Sequence, residues 1–162
     1  MEKYRYCPMC SNPLAPRSID NRERLACSAG CGYVLWDNPV PVVAAIVQRN
    51  GKIVLARNKA WPEKMFGLIT GFLEKGESPE DGMRREIREE LGLESEITGL
   101  VGLYTYEMMN QLLIVYHASA SGTIRLGDEL AEVKELEPDK VRPWQFGTGP
   151  ALRDWLAGHT RK

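Results

Sequence analysis

The residues whose spacing carries the most chemistry are three glutamates, Glu86, Glu89 and Glu90, in the run Arg85-Glu86-Ile87-Arg88-Glu89-Glu90-Leu91-Gly92-Leu93. On a helix, positions i, i+3 and i+4 share one arc of surface, so the three carboxylates would stand side by side. Met83, Ile87 and Leu91 form the adjoining apolar stripe, which would anchor such a helix to a core while the acids face a cleft. Carboxylates this close repel one another by roughly 0.2–0.5 kcal/mol per pair unless a cation lies between them. Oxygen ligands suit Mg2+ or Mn2+ better than zinc, and Mg2+ held by a few carboxylates completes its shell with substrate phosphate oxygens. The chemistry so indicated is metal-assisted attack on a phosphate ester or diphosphate. Spacing alone also fits a solvated helix in which Asp81 and Glu89 pair with Arg85 four residues away, and by itself it favours that plainer reading.

A second constellation is sulfur-based. Cys7-Pro8-Met9-Cys10 and Cys27-Ser28-Ala29-Gly30-Cys31 are two close pairs separated by sixteen residues, a layout that lets two turns close a tetrahedral zinc site through Cys7, Cys10, Cys27 and Cys31. A segment this short buries too little apolar surface to fold unaided, so bound Zn2+ would supply much of its folding energy. The alternatives are four reduced core cysteines, or a reactive dithiol at Cys7 and Cys10. The second pair has three intervening residues where zinc ribbons more often have two, so one residue must loop out or the metal is held less tightly. His117 and His159 lie far away in sequence and read as ordinary histidines.

The elements that would position these groups can be read from pattern. Residues 1–38 hold all four cysteines and little periodic apolar sequence, and they read as a small separate module ending at Asp37-Asn38-Pro39. Val40 to Val47 and Ile53 to Ala56 are strands joined by an Asn50-Gly51 hairpin turn. Phe66 to Leu73 is a glycine-punctuated strand that comes close to a ligand. Ser78-Pro79-Glu80-Asp81 carries a cap, a first-turn proline and first-turn acids, predicting a helix that stops at Gly92. Ile97 to Tyr106 and Gln111 to Ala120 form a second hairpin, residues 121–131 a polar loop, Glu132 to Leu136 a short strand, and Gly149-Pro150 opens a last helix.

The chain has 162 residues, 43% of them hydrophobic, enough for a core. Its 21 basic and 22 acidic residues leave a formal charge of −1, so no global field draws it to nucleic acid or to an anionic membrane. The opening Met1-Glu2-Lys3-Tyr4-Arg5-Tyr6 lacks a signal-peptide run, and no stretch approaches the roughly 18 apolar residues of a membrane span, so the expected location is the cytoplasm. Reduced thiols are the rule there, which favours metal binding over disulfides.

From Gly71 the chain reads GFLEKGESPEDGMRREIREELGL, and this resembles the Nudix box of the Nudix hydrolases at each fixed position: Gly71, Glu77, Arg85, Glu86, Ile87, Glu89, Glu90, Gly92 and Leu93. The resemblance covers roughly residues 40–157. It implies an α/β (α+β) fold, a mixed sheet sandwiched between helices in an α/β/α arrangement, with the box forming a loop, a helix and a loop. The cysteine module is similar to the zinc ribbon of a subset that includes NADH pyrophosphatases, giving domains of 1–38 (zinc ribbon) and 39–162 (Nudix domain). The resemblance further implies that Glu86, Glu89 and Glu90 bind Mg2+ or Mn2+ with the Gly71 carbonyl, that Arg85 pairs with Glu77 to hold the loop, and that a downstream acid joins the site. Glu132 is the first candidate for that acid and Glu129 the second. Glu89, Glu90 and Glu132 are then the catalytic candidates, and Phe72 and Arg85 the substrate contacts.

The implied reaction is hydrolysis of a nucleotide diphosphate linkage, as in a dinucleotide or nucleoside diphosphate sugar. The serine-glutamine-proline-tryptophan array of the NADH pyrophosphatases is absent downstream of the box, and no proline lies between Leu93 and Pro138. Trp36, Trp61, Phe66, Tyr104 and Tyr106 could stack on a base or pack a core. A sensing role, with the ribbon contacting protein or nucleic acid, is the competing reading, against which the intact glutamate set and the absence of a basic stripe both argue. Assembly as a homodimer stays open.

Overall fold

The computed structural model describes residues 4–159, the side chain of His159 excepted, so the readings of Met1–Lys3 and of the His159 side chain lie outside the described residues. The chain divides into two compact units, Met1–Asn38 and Pro39–Lys162. In the first, strands β1 (Leu14–Ile19), β2 (Arg22–Cys27) and β3 (Val34–Leu35) form an antiparallel sheet in the order β1-β2-β3. These strands escape a periodicity reading because β1 is half-buried or exposed along its whole length. Polar contacts stand in for a core: the Arg24 guanidinium lies 4.7 Å from the Trp36 ring centroid and donates to the Trp36 carbonyl at 2.8 Å.

The second unit runs β4 (Val40–Arg49), β5 (Lys52–Asn58), β6 (Ile69–Phe72), α1 (Pro79–Leu91), β7 (Glu94–Tyr106), β8 (Gln111–Ser121), β9 (Leu130–Leu136) and α2 (Gly149–His159). Its sheet has the order β7-β8-β4-β5-β9, with β6 also pairing β4. It is mixed, since β4 and β8 are parallel while the other pairs are antiparallel. The Asn50-Gly51 turn has φ of 50° and 81°, as a tight hairpin of this hand requires.

Strand β4 is apolar without alternation because both of its faces are covered. Val43, Ala45 and Val47 meet Met83, Ile87 and Leu91 of α1, while Val42, Ala44 and Ile46 meet Ala151, Leu152 and Trp155 of α2. The α1 stripe is wholly shielded from solvent, and each such side chain contributes about 2 kcal/mol. The result is the expected α/β/α sandwich. Helix α1 starts where its cap predicts, with Ser78 Oγ accepting from the Asp81 N–H at 3.2 Å, and ends at left-handed Gly92. No helix among the described residues is long and apolar enough to cross a membrane.

Candidate functional site

Burying Met83, Ile87 and Leu91 turns Glu86, Glu89 and Glu90 toward a cleft of about 570 Å³, whose other walls include Gly71, Phe72, Asp128 and Glu129. A Cβ built on Gly71 would lie 1.9 Å from Cδ of Glu86, so a larger residue there would displace that carboxylate. The helix therefore lays its first box carboxylate directly over the β6 backbone.

Arg85 fixes the base of this arrangement. Its Nε and Nη2 donate to the two oxygens of Glu77 at 3.1 and 2.9 Å, Nη1 donates to Glu86 at 2.7 Å and Glu89 at 3.1 Å, and Nη2 also reaches the Phe72 carbonyl at 3.1 Å. Glu77 in turn accepts from the Glu74 N–H at 2.7 Å. The loop between β6 and α1 is thus held by one guanidinium, as the box resemblance implies. Each of the three nitrogens of Arg85, expected in sequence to contact substrate, donates within the protein, and the residue lies outside the cleft lining. Its hydrogen bonds hold the Glu77 carboxyl below the usual carboxylate range, with the backbone of Glu74 adding to the effect.

The acids deeper in the cleft shift the other way. Burial raises Glu86 despite its contact with Arg85. Glu90 is pushed from 4.5 up to about 8, first by burial and then by the charges of Glu86, Glu129 and Glu89.

Of the two downstream acids, Glu129 lines the cleft and Glu132 does not. The segment before β9 folds against the end of α1, where the Arg125 and Gly127 N–H groups donate to the Leu91 and Glu90 carbonyls at 2.8 Å each. These bonds satisfy carbonyls the helix leaves open. A Cβ on Gly127 would lie 2.4 Å from the Glu89 carbonyl, so only glycine allows the approach. From there Glu129 enters the cleft wall, its carbonyl accepting from the Lys59 N–H at 2.8 Å and its carboxylate facing Asn58 Nδ2 at 3.4 Å. Strand β9 begins two residues earlier than the sequence pattern suggests, at Leu130, and its register with β5 slips between Arg57 and Asn58. Leu130 packs with the α1-side core. Past the bulge, Val133 stays on that side while Leu136 packs with the α2-side core. Alternation then carries Glu132 to the α2 side, where it lies 3.6 Å from Arg57 and 4.0 Å from Lys134.

A second cavity, about 900 Å³, shares Val42, Thr70 and Gln111 with the cleft. Trp61, Phe66, Tyr106 and Trp144 line it, together with Met65 and Phe146. Of the aromatic residues singled out in sequence, Phe72 lies in the cleft wall and is 60% exposed. Trp61, Phe66 and Tyr106 line the cavity, Tyr104 donates to Asp154 at 3.0 Å, and Trp36 belongs to the first unit. Trp144 and Phe146 gave no sequence signal, since they sit in an irregular segment with no period to read.

In the first unit the four Sγ atoms lie within 4.8 Å of one another, with Cys7 to Cys31 at 3.5 Å and Cys10 to Cys27 at 3.4 Å. A tetrahedral zinc with Zn–S of about 2.3 Å sets its sulfurs roughly 3.8 Å apart, so the donor set fits. Gly30, at φ 71°, takes up the additional residue of the second pair. The Met9 N–H and the Asn12 side chain point at the Cys7 and Cys10 sulfurs. Asn12 draws Cys10 down to about 6. Cys31 is pushed up to about 12, the pull of the Tyr33 N–H being outweighed by its hydrogen bonds with the Cys27 and Cys7 sulfurs and by burial. Four sulfurs this close to one another could hold a metal ion.

The NUDIX domain model matches residues 38–156. The chain belongs to the NUDIX family. It is 37% identical over 133 residues to the NAD-capped RNA hydrolase NudC of Mycobacterium tuberculosis, an alignment covering 75% of this chain and 39% of that protein. It is 27% identical over 135 residues to the protein of the same name from Pseudomonas fluorescens, covering 83% and 46%. The chain thus spans under half the length of these relatives. The crystal structure of a NUDIX hydrolase from Nitrosomonas europaea has the same fold, with a TM-score of 0.82 at 22% identity over 98% of this chain and 94% of that one.

Proposed function

We propose that the protein is a Mg2+- or Mn2+-dependent hydrolase that cleaves the diphosphate linkage of a nucleoside diphosphate derivative, working in the reducing cytoplasm with a structural Zn2+ on its four cysteines. The observation that carries this reading is the meeting of two chambers. An acidic cleft suited to metal-bound diphosphate adjoins an aromatic cavity suited to a base, with Val42, Thr70 and Gln111 common to both. Residues 1–38 would be the zinc ribbon and 39–162 the hydrolase domain.

Glu86, Glu89 and Glu90, with the Gly71 carbonyl, would hold the catalytic cation, which when bound neutralises the diphosphate and acidifies a coordinated water. The protein's own part is positional. Arg85 holds Glu86 and Glu89 at fixed distances, and the Gly127 turn brings Glu129 opposite Glu90. A carboxylate of this group, Glu89, Glu90 or Glu129, takes the proton of the attacking water as its oxygen bonds to phosphorus. The bridging P–O bond breaks, and two phosphate-terminated halves leave without a covalent enzyme intermediate. Phe72 is exposed in the cleft wall and would stack on the substrate.

The relatives named NAD-capped RNA hydrolase NudC favour a dinucleotide over a simple nucleotide, although the array absent from this sequence separates it from the NADH pyrophosphatases. Incubating the protein with a panel of dinucleotides and nucleoside diphosphate sugars, with Mg2+ or Mn2+, and identifying the products tests the reading. Release of a nucleoside monophosphate from at least one substrate supports it. No turnover of any, by folded and metal-loaded protein, would favour a sensing role.

A further inference from the structure

Residues 58–61 join the wall of the cleft to the wall of the aromatic cavity. Asn58 ends β5, and the slip in the β5–β9 register sets it opposite Leu130, where an unbroken ladder continuing from Arg57 and Glu132 would set it opposite Ala131. The next residue, Lys59, grips the approach to Glu129: its N–H donates to the Glu129 carbonyl at 2.8 Å and its Nζ to the Asp128 carbonyl at 2.5 Å. On the other side Trp61, which lines the cavity, donates its N–H to the Asn58 carbonyl at 2.9 Å. The backbone around Asn58 is therefore fixed from both directions.

The side chain is fixed as well. Asn58 Oδ1 accepts from the Ala60 N–H at 2.9 Å, the turn bond that asparagine makes with the backbone two residues on. An amide has one oxygen and one NH2 group, so with the oxygen engaged in the turn it is the NH2 that Glu129 meets. Nδ2 lies 3.4 Å from Glu129 Oε2. Among the described residues no other N–H or O–H donates to that carboxylate. Glu129 is exposed, and the other charged residues of the cleft wall, Glu86, Glu89, Glu90 and Asp128, are all acids that push it outward. The contact is long, so its strength is modest, but it is the attraction that opposes this repulsion and selects one direction for a flexible side chain.

We propose that Asn58 is a positioning residue, whose amide holds the Glu129 carboxylate in the cleft, where it can act on the attacking water. The inference rests on the hydrolase reading and deepens it.

Two variants isolate the donor. Asn58→Ser keeps an oxygen for the Ala60 N–H and removes the group that faces Glu129, whereas Asn58→Asp keeps the shape and the turn bond and sets a second carboxylate against Glu129. Each is made in the parent and in Glu129→Gln, with folding checked by circular dichroism. On a diphosphate that the parent cleaves, kcat should fall about fivefold for Asn58→Ser and about tenfold for Asn58→Asp, with KM within about twofold. In the Glu129→Gln background both effects should shrink to within about twofold, because the orientation of Glu129 cannot be lost twice. Unchanged kcat in the single variants, or losses that persist undiminished beside Glu129→Gln, overturn the proposal. Melting in EDTA at pH 7 reads the same contact without turnover. Asn58→Asp should lower the melting temperature by about 2–4 °C in the parent, and the gap should close to within about 1 °C in Glu129→Gln, whose amide can donate to the new carboxylate. An equal gap in both backgrounds overturns the proposal. If the parent cleaves no diphosphate while the gap closes as expected, the hydrolase reading fails and Asn58 stands as the group that orients Glu129.

Discussion

Replacing Glu90 with glutamine should stabilise the metal-free protein while disabling it. Folded, Glu90 holds its proton up to about pH 8, against an ordinary value of 4.5, because burial and the charges of Glu86, Glu129 and Glu89 all oppose ionisation. A group bound to its proton more tightly in the folded state contributes nothing adverse below the unfolded value, and costs stability as pH rises from there through the folded value. That range corresponds to on the order of 3 kcal/mol at pH 8, once water at the cleft mouth is allowed for. Glu90→Gln keeps the side chain's shape and removes the charge. In EDTA at pH 8 the variant should melt about 6–12 °C above the parent, with the gap falling to a few degrees at pH 5. Saturating Mg2+ should raise the melting temperature of the parent at pH 8 and leave the variant nearly unmoved. Differential scanning fluorimetry at the two pH values, with and without metal, reads all of this. A variant less stable than the parent at pH 8 in EDTA, or stabilised by Mg2+ as strongly as the parent, would show that Glu90 neither strains the cleft when charged nor takes part in holding a cation.

Three further outcomes follow from the geometry. Gly71→Ala places a methyl where Glu86 Cδ lies, so metal-dependent activity should drop by at least about tenfold in protein that remains folded by circular dichroism. Glu129→Gln should lower kcat by about 100-fold, whereas Glu132→Gln, across the sheet beside Arg57, should leave kcat within about twofold. Elemental analysis of protein purified without added metal should find one zinc per chain, and native thiol titration should find the four cysteines protected until a strong chelator is added. Substoichiometric zinc with freely titrating thiols would remove that assignment.

The α1 segment was fully legible because its signals are local: Ser78 and Pro79 mark the start, Gly92 the end, and the apolar residues at 83, 87 and 91 decide which face turns inward. The Asn50-Gly51 hairpin and the long β7–β8 pair were legible for the same reason. The strands of the first unit were not, since their burial is partial and their organisation comes from the cysteine cluster and from Arg24 against Trp36. Glu132 lies away from the cleft because one bulge opposite Arg57 and Asn58 reverses the facing of every later residue in β9. No count along the chain reveals that slip. The aromatic cavity is likewise assembled from segments as distant as Trp61 and Phe146, and only the packing brings them together.

If the Glu86, Glu89 and Glu90 face of α1 performs metal-dependent diphosphate hydrolysis, removing one of its charges must slow the chemistry while a change elsewhere on the helix must not. The most direct test is the kcat of Glu89→Gln beside that of Arg88→Gln, on whichever diphosphate the parent cleaves, with Mg2+ present and then removed by EDTA. Glu89 lines the cleft, whereas Arg88 pairs at the surface with Glu94 at 3.2 Å. The expected result is a loss of about 10³-fold for Glu89→Gln, near 4 kcal/mol of transition-state stabilisation, a change within about twofold for Arg88→Gln, and no parent activity in EDTA. Near-parental kcat for folded Glu89→Gln, or turnover that persists after complete removal of divalent metal, would contradict it.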